Sequence, residues 1–522
     1  MRKSLRVRLF SHHFEVTEFS RQVKDVLTNF ALRYADYQLV RNPWSHECKR
    51  ELKKIYAAST ADRTEYRFHI NTYKDFLLHM SNAGYPQDQM QIEEVPLYEP
   101  VKVELRDRGT KPPREEQLKI IAHLSSKRPT GTPHLGITRV AETQTGSGKT
   151  VMAEHALIEH QSRVGIIIRP QYIKRWLDDL VKDKDRLIDL EPKDVMVIQG
   201  SSDFRAMVAM AKANALESKV IIISNKTMQR FITHYEQFNR DTFDYGCSPV
   251  ELCQILGLGV MLVDEVHQDF HFNFKLQLYT HCPVCLDLSA TLESDNKTTA
   301  RMYTVMFPPE TRVDKGQYKK YIAVRALLYG LNKPEKVKWV QRGRSSYSQV
   351  AFEDSIMKNK DMIKNYLDNI TDAVSEFYIK VREPGQKLLI FAAQIAMCEL
   401  IRDHLRSLYP DLVINKYTGG DQYATLLSSD ISVSTLGSAG TAVDIPGLRV
   451  VLSTTSVDSV QANYQALGRL REMKGPWKDV TPFFLYFVCI DVPPQMRYHE
   501  RKQQKFRGRV VSHVEMVLDK NV

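Results

Sequence analysis

The sequence predicts an α/β protein with two tandem parallel-sheet domains, a small α+β domain before them and a short basic tail after them. Three observations predict this class. The chain has 522 residues, more than the ~250 to 300 that one hydrophobic core holds. Apolar runs of strand length alternate with helical patterns in two separate stretches, as in parallel strands joined by helices. The composition, 43% hydrophobic and 26% charged, is that of an ordinary folded protein.

The two alternating stretches set the predicted domain boundaries. We expect an accessory domain over 1–105, a first sheet domain over 106–315, a basic connector over 316–350, a second sheet domain over 351–490 and the tail over 491–522. Helical patterns cover 14–34 and 352–378. The strand candidates are 138–142, 164–169, 195–199, 220–224, 260–264 and 284–289 in the first series, and 387–392, 412–417, 431–435, 450–453 and 483–488 in the second.

Charge and cysteine content narrow the functional classes. The net charge of +11 permits attraction to a polyanion without demonstrating it. Seven cysteines, an odd number without a signal peptide, predict reduced thiols and a cytoplasmic protein. The close pair Cys282 and Cys285 could bind zinc. Buried thiols are the better interpretation, because a zinc site typically has two close pairs of ligands and the sequence shows one. No apolar run approaches the ~18 residues of a membrane span.

A phosphate-binding loop is predicted at TQTGSGKT, which follows a strand and precedes a helix. Glycines at 146 and 148 permit a turn whose backbone N–H groups converge on phosphate oxygens, with the helix N-terminus behind them. Lys149 would reach the β- and γ-phosphates of ATP, and the Thr150 hydroxyl would hold Mg²⁺. Thr143 stands where the strict pattern has glycine, and Ser147 completes the loop.

A pair of carboxylates is predicted at the end of the strand in GVMLVDEVH. Asp264 can hold Mg²⁺ through its outer shell, and Glu265 can orient and deprotonate the attacking water. An acidic strand end exposed to solvent is the alternative. The preceding phosphate-binding loop favours the catalytic interpretation.

Taken in order, these segments resemble the motifs of superfamily 2 helicases and translocases of the DExH type over residues 112 to 472. The resemblance implies two RecA-like domains, ATP, Mg²⁺ and a nucleic-acid track. In the first domain it implies these roles: adenine contact for Arg114 and Gln117; backbone contact with nucleic acid for Arg169, Pro170, Ser224 and Thr227; a nucleotide-site link for His267; and coupling for Ser289, Ala290 and Thr291.

The second domain continues the resemblance with LLIFAAQ, STLGSAGTAVDIPGL and YQALGRLRE. It implies that Arg469 meets the γ-phosphate as a cation. Arg471 follows after two residues, where the family spaces its second arginine by three, which weakens its role as the arginine finger. The remaining implied contacts are Thr435 with nucleic acid, and Gly440, Asp444 and Gln465 with the nucleotide.

Two basic segments stay open between a nucleic-acid contact and a solvated surface. In the connector, KPEKVKWVQRGR combines Trp339, Arg342 and Arg344 with further lysines, and such a set can stack bases and pair phosphates. In the tail, RYHERKQQKFRGR carries six basic residues against one acid.

The subfamily that the chain resembles most is the phage UvsW-type branch-migration helicases. This implies an ATP-dependent DNA helicase or translocase that remodels forked, branched or single-stranded DNA with weak sequence specificity, in replication, recombination and repair. It also implies that the accessory domain over 1–105 binds duplex or forked DNA, that replication or recombination proteins are partners, and that the location is the host cytoplasm. A SWI2/SNF2-like duplex translocase, an RNA helicase, the motor of a restriction complex and an ATPase-inactive scaffold are the alternatives.

Overall fold

The computed structural model describes residues 5–41, 48–59, 64–127, 135–144, 146–238, 240, 242–313, 319–340, 346–419, 421–439 and 445–522. It divides the chain into two compact units. The first contains Met1–Thr143 and Ser147–Lys315, and the second contains Gln144–Gly146 and Gly316–Val522. Among the described residues, no helix combines the length and the apolar character that crossing a membrane requires.

The first unit begins with a small sheet backed by two helices. Its aromatic core joins strand and helix, with the rings of Phe14 and Phe76 centred 5.1 Å apart and those of Phe30 and Phe68 5.0 Å apart. The elements are β1 (Leu5–Leu9), β2 (His13–Thr17), α1 (Arg21–Arg33), β3 (Ala35–Arg41), β4 (Cys48–Lys54), β5 (Ala57–Ala58), β6 (Tyr66–His69), α2 (Tyr73–Asn82) and β7 (Met90–Glu94).

The strand order of this mixed sheet is β5-β6-β2-β1-β7, in which only the β1–β7 pair is parallel. Strands β3 and β4 form a separate antiparallel hairpin. The predicted small α+β accessory fold is therefore confirmed.

A six-stranded parallel sheet forms the larger part of the first unit, in the order β10-β11-β9-β12-β13-β8. All six predicted strands are confirmed to within one residue at each end. The elements are α3 (Glu115–Leu124), β8 (Ile137–Glu142), α4 (Lys149–His160), β9 (Val164–Ile168), α5 (Pro170–Leu177), β10 (Val195–Ile198), α6 (Ser201–Lys212), β11 (Val220–Ser224), α7 (Asn225–Gln237), α8 (Leu252–Leu256), β12 (Val260–Val263), α9 (Phe270–Gln277), β13 (Val284–Ser289) and α10 (Lys297–Met306).

This strand order brings the predicted motifs together. The phosphate-binding loop follows β8, the acidic segment follows β12, and Ser289 ends β13, which lies between those two strands. Because parallel strands end at the same edge of a sheet, all three segments meet at one edge.

The second unit is a seven-stranded parallel sheet with helices, in the order β16-β17-β15-β18-β19-β14-β20. The five predicted strands are confirmed, with ends displaced by at most two residues. The elements are β14 (Ala323–Tyr329), α11 (Gln349–Met357), α12 (Lys360–Val374), β15 (Lys387–Ala392), α13 (Ile395–Leu408), β16 (Ile414–Tyr417), α14 (Tyr423–Ser428), β17 (Ile431–Thr435), α15 (Leu436–Ala439), β18 (Leu448–Ser453), α16 (Val460–Leu467), β19 (Phe483–Cys489), α17 (Pro493–Phe506) and β20 (Ser512–Val517).

Strands β14 and β20 correct the predicted connector and tail. The connector's apolar run AVRALLY is β14, which pairs with both β19 and β20 and is buried except at Arg325. The tail contains α17 and the edge strand β20, and Lys502 in α17 is only 4% exposed. The sequence analysis missed both strands because lysines and arginines flank them. A strand within a charged segment lacks the change in hydropathy by which a strand is recognised.

Candidate active site

The loop between β8 and α4 is fixed by residues at the start of α3. The Gln117 side chain, 4% exposed, accepts the Arg114 backbone N–H at 2.9 Å and donates through Nε2 to the Ser147 carbonyl at 2.7 Å. The Arg114 guanidinium donates to the same carbonyl. These two residues thus hold the predicted phosphate-binding loop by its backbone, while their adenine contact stays a prediction.

Glycine is required twice in this loop. Gly146 and Gly148 have φ of +89° and +86°, the left-handed region that L side chains rarely adopt. A Cβ on Gly148 would also stand 2.6 Å from Gln117 Nε2. Thr143, the departure from the strict pattern, accepts the Ser147 hydroxyl at 2.8 Å. Thr145 lies outside the described residues.

Helix α4 begins at Lys149, whose side chain is 10% exposed. Its ammonium lies 3.3 Å from Glu265 Oε1 and makes no hydrogen bond among the described residues. Thr150 follows in the first turn of the helix and is half-buried. A buried ammonium at a helix N-terminus, short of hydrogen-bond acceptors, is the arrangement that an anionic ligand completes.

The acidic segment after β12 is held in an uncommon backbone conformation. Glu265 has φ of +50°, which non-glycine residues adopt rarely and mostly at functional sites. The carboxylate of Asp264 accepts the Glu265 N–H at 2.8 Å with one oxygen and the Trp176 indole N–H at 2.8 Å with the other. Trp176 was not among the predicted site residues, because its position in α5 gives no sign that it reaches β12.

Burial sets the protonation of this segment. Burial, together with the neighbouring Glu265 charge, raises the pKa of Asp264 to about 6, although the hydrogen bond from Trp176 and the charge of Lys149 act to lower it. Burial also lowers the pKa of His267 to about 4. His267 is therefore neutral at physiological pH.

His267 connects the acidic segment to the end of β13. Its Nδ1 lies 3.0 Å from Ser289 Oγ, and Ser289 Oγ donates to the Thr291 carbonyl at 2.7 Å. Because the hydroxyl proton is engaged there, Nδ1–H is the donor to Ser289. Ala290 lies between the two hydroxyl residues. One predicted coupling residue, Ser289, thus contacts the predicted nucleotide-site histidine.

A carboxylate that the sequence analysis missed joins three strand ends. Asp269, at φ +55°, accepts with Oδ2 from Arg169 Nε and from Asn225 Nδ2, each at 2.9 Å. Arg169 follows β9, Asn225 follows β11, and Asp269 follows β12. The segment after β12 therefore contacts both predicted backbone-binding segments, and Pro170 begins α5 beside Arg169.

Two predicted nucleic-acid contacts are buried. Ser224 and Thr227 are each 3% exposed, and the Thr227 hydroxyl accepts the Gly200 N–H at 2.8 Å. Neither side chain offers surface to a strand in this structure. Ser224 is the N-cap residue of α7 and Thr227 lies in its first turn, because β11 runs directly into that helix.

The second unit contains the remaining predicted residues. Arg469 is 4% exposed and donates to the Gln465 carbonyl at 3.3 Å, and Arg471 donates to the Gly468 carbonyl. Thr435 ends β17, with its hydroxyl 2.9 Å from the Ser438 hydroxyl. The roles of these residues stay predictions. Gly440, Asp444, Arg342 and Arg344 lie outside the described residues.

Trp339 and the cysteines have structural roles. Trp339 is half-buried and packs against the core of the second unit, so it is not an exposed stacking platform. Cys282 and Cys285 are buried free thiols. No group of three or more metal-ligating side chains occurs in the part of the chain that the structure describes.

Comparison with known proteins places the first unit in context. Residues 110–294 match the family model described as "Type III restriction enzyme, res subunit". No curated protein matches the chain. Among solved structures, similarity is found to T4 UvsW, at 12% identity over 98% of this chain and 99% of that chain with a TM-score of 0.34.

Two further structures are similar. One is a fragment of a putative HsdR subunit of a type I restriction enzyme from Vibrio vulnificus YJ016, at 12% identity over 97% of this chain and 87% of that chain, with a TM-score of 0.45. The other is the Hef helicase domain from Pyrococcus furiosus, at 12% identity over 74% and 98% of the two chains, with a TM-score of 0.42. The family match over residues 110–294 contains the loop after β8, the acidic segment after β12 and the end of β13.

Proposed function

We propose that this chain is an ATP-dependent DNA helicase or translocase that couples hydrolysis to movement on DNA and remodels forked or branched DNA. The observation that supports it best is the Lys149 ammonium, buried at the start of α4 and 3.3 Å from the Glu265 carboxylate. Lys149 can pair with an anionic phosphate, and the neighbouring Glu265 carboxylate can accept a proton. ATP hydrolysis requires both functions close together.

The residues of the first unit fit a magnesium nucleotide. The loop at Gly146 and Gly148 and the N-terminus of α4 suit the phosphates. The Thr150 hydroxyl and Asp264 would hold Mg²⁺, with Asp264 acting through water because both of its oxygens already accept hydrogen bonds. When bound, the ion neutralises charge on the phosphates. Lys149 contributes positive charge to the same groups, and Glu265 orients the attacking water and accepts its proton.

Two contacts provide a route from the nucleotide to the nucleic acid. His267 binds Ser289 at the end of β13, and Asp269 holds Arg169 at the end of β9. A change in the segment after β12 therefore reaches two neighbouring strand ends directly. Arg169, whose side chain is 30% exposed, keeps surface for a phosphate contact.

The choice of DNA, and of branched DNA, rests on the resemblance to UvsW-type helicases and on the net charge of +11. Steady-state ATP hydrolysis tests it with single-stranded DNA, blunt duplex, forked DNA, four-way DNA and RNA at matched low salt. Strongest stimulation by forked or four-way DNA supports the proposal.

The other outcomes separate the alternatives. Strongest stimulation by blunt duplex would favour a duplex translocase, and strongest stimulation by RNA would favour an RNA helicase. Lys149→Ala is the control. A wild type that hydrolyses no more ATP than this variant under every condition would leave the ATPase-inactive scaffold as the explanation.

A further inference from the structure

The β3–β4 hairpin of the first unit carries its excess positive charge on one face. Side chains alternate between the faces of a strand pair, and the register pairs Ala35 with Lys54 and Tyr37 with Leu52. Among the side chains that the structure describes, one set of alternate positions carries the basic residues Arg50 and Lys54 and no acid. The other set carries Asp36 and Glu51 against Lys53.

The basic set has an aromatic residue at its centre. Tyr37 lies diagonally across the strand pair from both Arg50 and Lys54, and diagonal neighbours are within reach of long side chains. Its side chain is 64% exposed, and Arg50 and Lys54 are exposed as well. The Lys54 ammonium lies 5.8 Å from the centre of the Tyr56 ring. We call Tyr37, Arg50 and Lys54 the basic face.

The opposite face contacts the rest of the first unit through Asp36. The Asp36 carboxylate accepts the Thr298 hydroxyl at 2.7 Å, and Lys53 is paired with Glu51 at 2.5 Å. At the base of the hairpin, the Arg301 guanidinium lies 5.1 Å over the Tyr34 ring. Thr298 and Arg301 belong to α10, the helix that follows the coupling residues Ser289 to Thr291. The hairpin is thus anchored to the coupling side of the first unit.

We propose that the basic face binds a single strand of nucleic acid, with one base stacked on Tyr37 and the flanking phosphates paired with Arg50 and Lys54. An exposed aromatic ring between two cations suits an unpaired base, whose face is free, better than a duplex, whose bases are already stacked. This proposal rests on the proposed function and adds the surface that holds the strand.

The test measures binding of a fluorescein-labelled oligothymidylate to the full chain by fluorescence anisotropy, without nucleotide. Tyr37→Ala should weaken binding by about 5- to 150-fold, the range of one lost base stack. Tyr37→Phe keeps the ring and should bind like the wild type. Replacing both Arg50 and Lys54 with Gln should reduce the slope of log affinity against log salt by about 1.4, since each strand phosphate contributes ~0.7.

Lys53→Gln is the matched control, because it removes one charge from the opposite face of the same hairpin. It should leave strand binding and ATP hydrolysis without nucleic acid unchanged. An equal loss in Lys53→Gln, a Tyr37→Phe variant as weak as Tyr37→Ala, or equal losses of Tyr37→Ala on blunt duplex and single strand would each overturn the proposal.

The same measurements separate a failure of the strand-binding proposal for the basic face from a failure of the proposed function. If the wild type binds strand and is stimulated by it, but Tyr37→Ala binds equally well, only the basic face is refuted. If the wild type neither binds nor responds to nucleic acid, both are refuted.

Discussion

Replacing Gly148 with alanine tests the phosphate-binding loop most sharply. Gly148 has φ of +86°, and its added Cβ would stand 2.6 Å from Gln117 Nε2. The left-handed backbone costs an alanine about 1–2 kcal/mol. Displacing Gln117 loses its hydrogen bond to the Ser147 carbonyl, a net loss of about 1 kcal/mol. Restoring the native loop to bind ATP therefore costs roughly 2–3 kcal/mol, or about 30- to 150-fold in kcat/KM for ATP.

Gly84→Ala is a matched control for this variant. Gly84 has nearly the same φ, +88°, but a Cβ there has no atom within 4 Å. Because of the same backbone strain, Gly84→Ala should lose a similar amount of folding free energy, measured as a lower Tm. Its kcat/KM for ATP should stay at the wild-type value. Wild-type kcat/KM in Gly148→Ala, or an equal fall in Gly84→Ala, would refute the reasoning.

Two further predictions concern charge in the first unit. The rate of ATP hydrolysis should fall as the pH drops through about 6, where Asp264 protonates. Trp176→Phe should move this acid limb of the pH profile to higher pH, because it removes a hydrogen bond that lowers the pKa of Asp264. An acid limb at the same pH in the variant and the wild type would contradict this. Arg67→Leu should lower the free energy of unfolding by up to about 3–5 kcal/mol, since the buried carboxylates of Glu15 and Glu65 lose their shared cation and keep only the more exposed Arg8 and Arg240. The surface substitution Arg6→Leu, which also faces two carboxylates, should have a much smaller effect in the same denaturant titration, and equal losses would contradict the role of burial.

The sequence predicted the elements that carry strong local signals. The central strands of the first parallel sheet are nearly continuous apolar runs because both of their faces are buried, and the motif residues follow those runs directly. That is why Asp264, Glu265, His267 and Ser289 could be assigned to strand ends, and Lys149 to the helix start that follows β8, before the strand order was known.

What the sequence could not predict depends on contacts between distant segments. The Trp176 indole reaches Asp264 across 88 positions, and Asp269 reaches Arg169 across 100. Neither contact has a spacing that a pattern can detect. Likewise, the charge difference between the two faces of the β3–β4 hairpin can be recognised only when the strand register, which pairs Tyr37 with Leu52, is known.

The central claim is that the first unit hydrolyses ATP with Lys149 as the phosphate-binding cation and Glu265 as the base. The most direct measurement compares Glu265→Gln with Lys149→Ala, recording binding of a fluorescent ATP analogue and turnover in the presence of DNA. Glu265→Gln keeps the shape of the side chain, so it should bind the analogue but lose turnover by about 10²- to 10⁴-fold. Lys149→Ala should lose analogue binding as well. Wild-type turnover in Glu265→Gln, or unchanged binding in Lys149→Ala, would contradict the account.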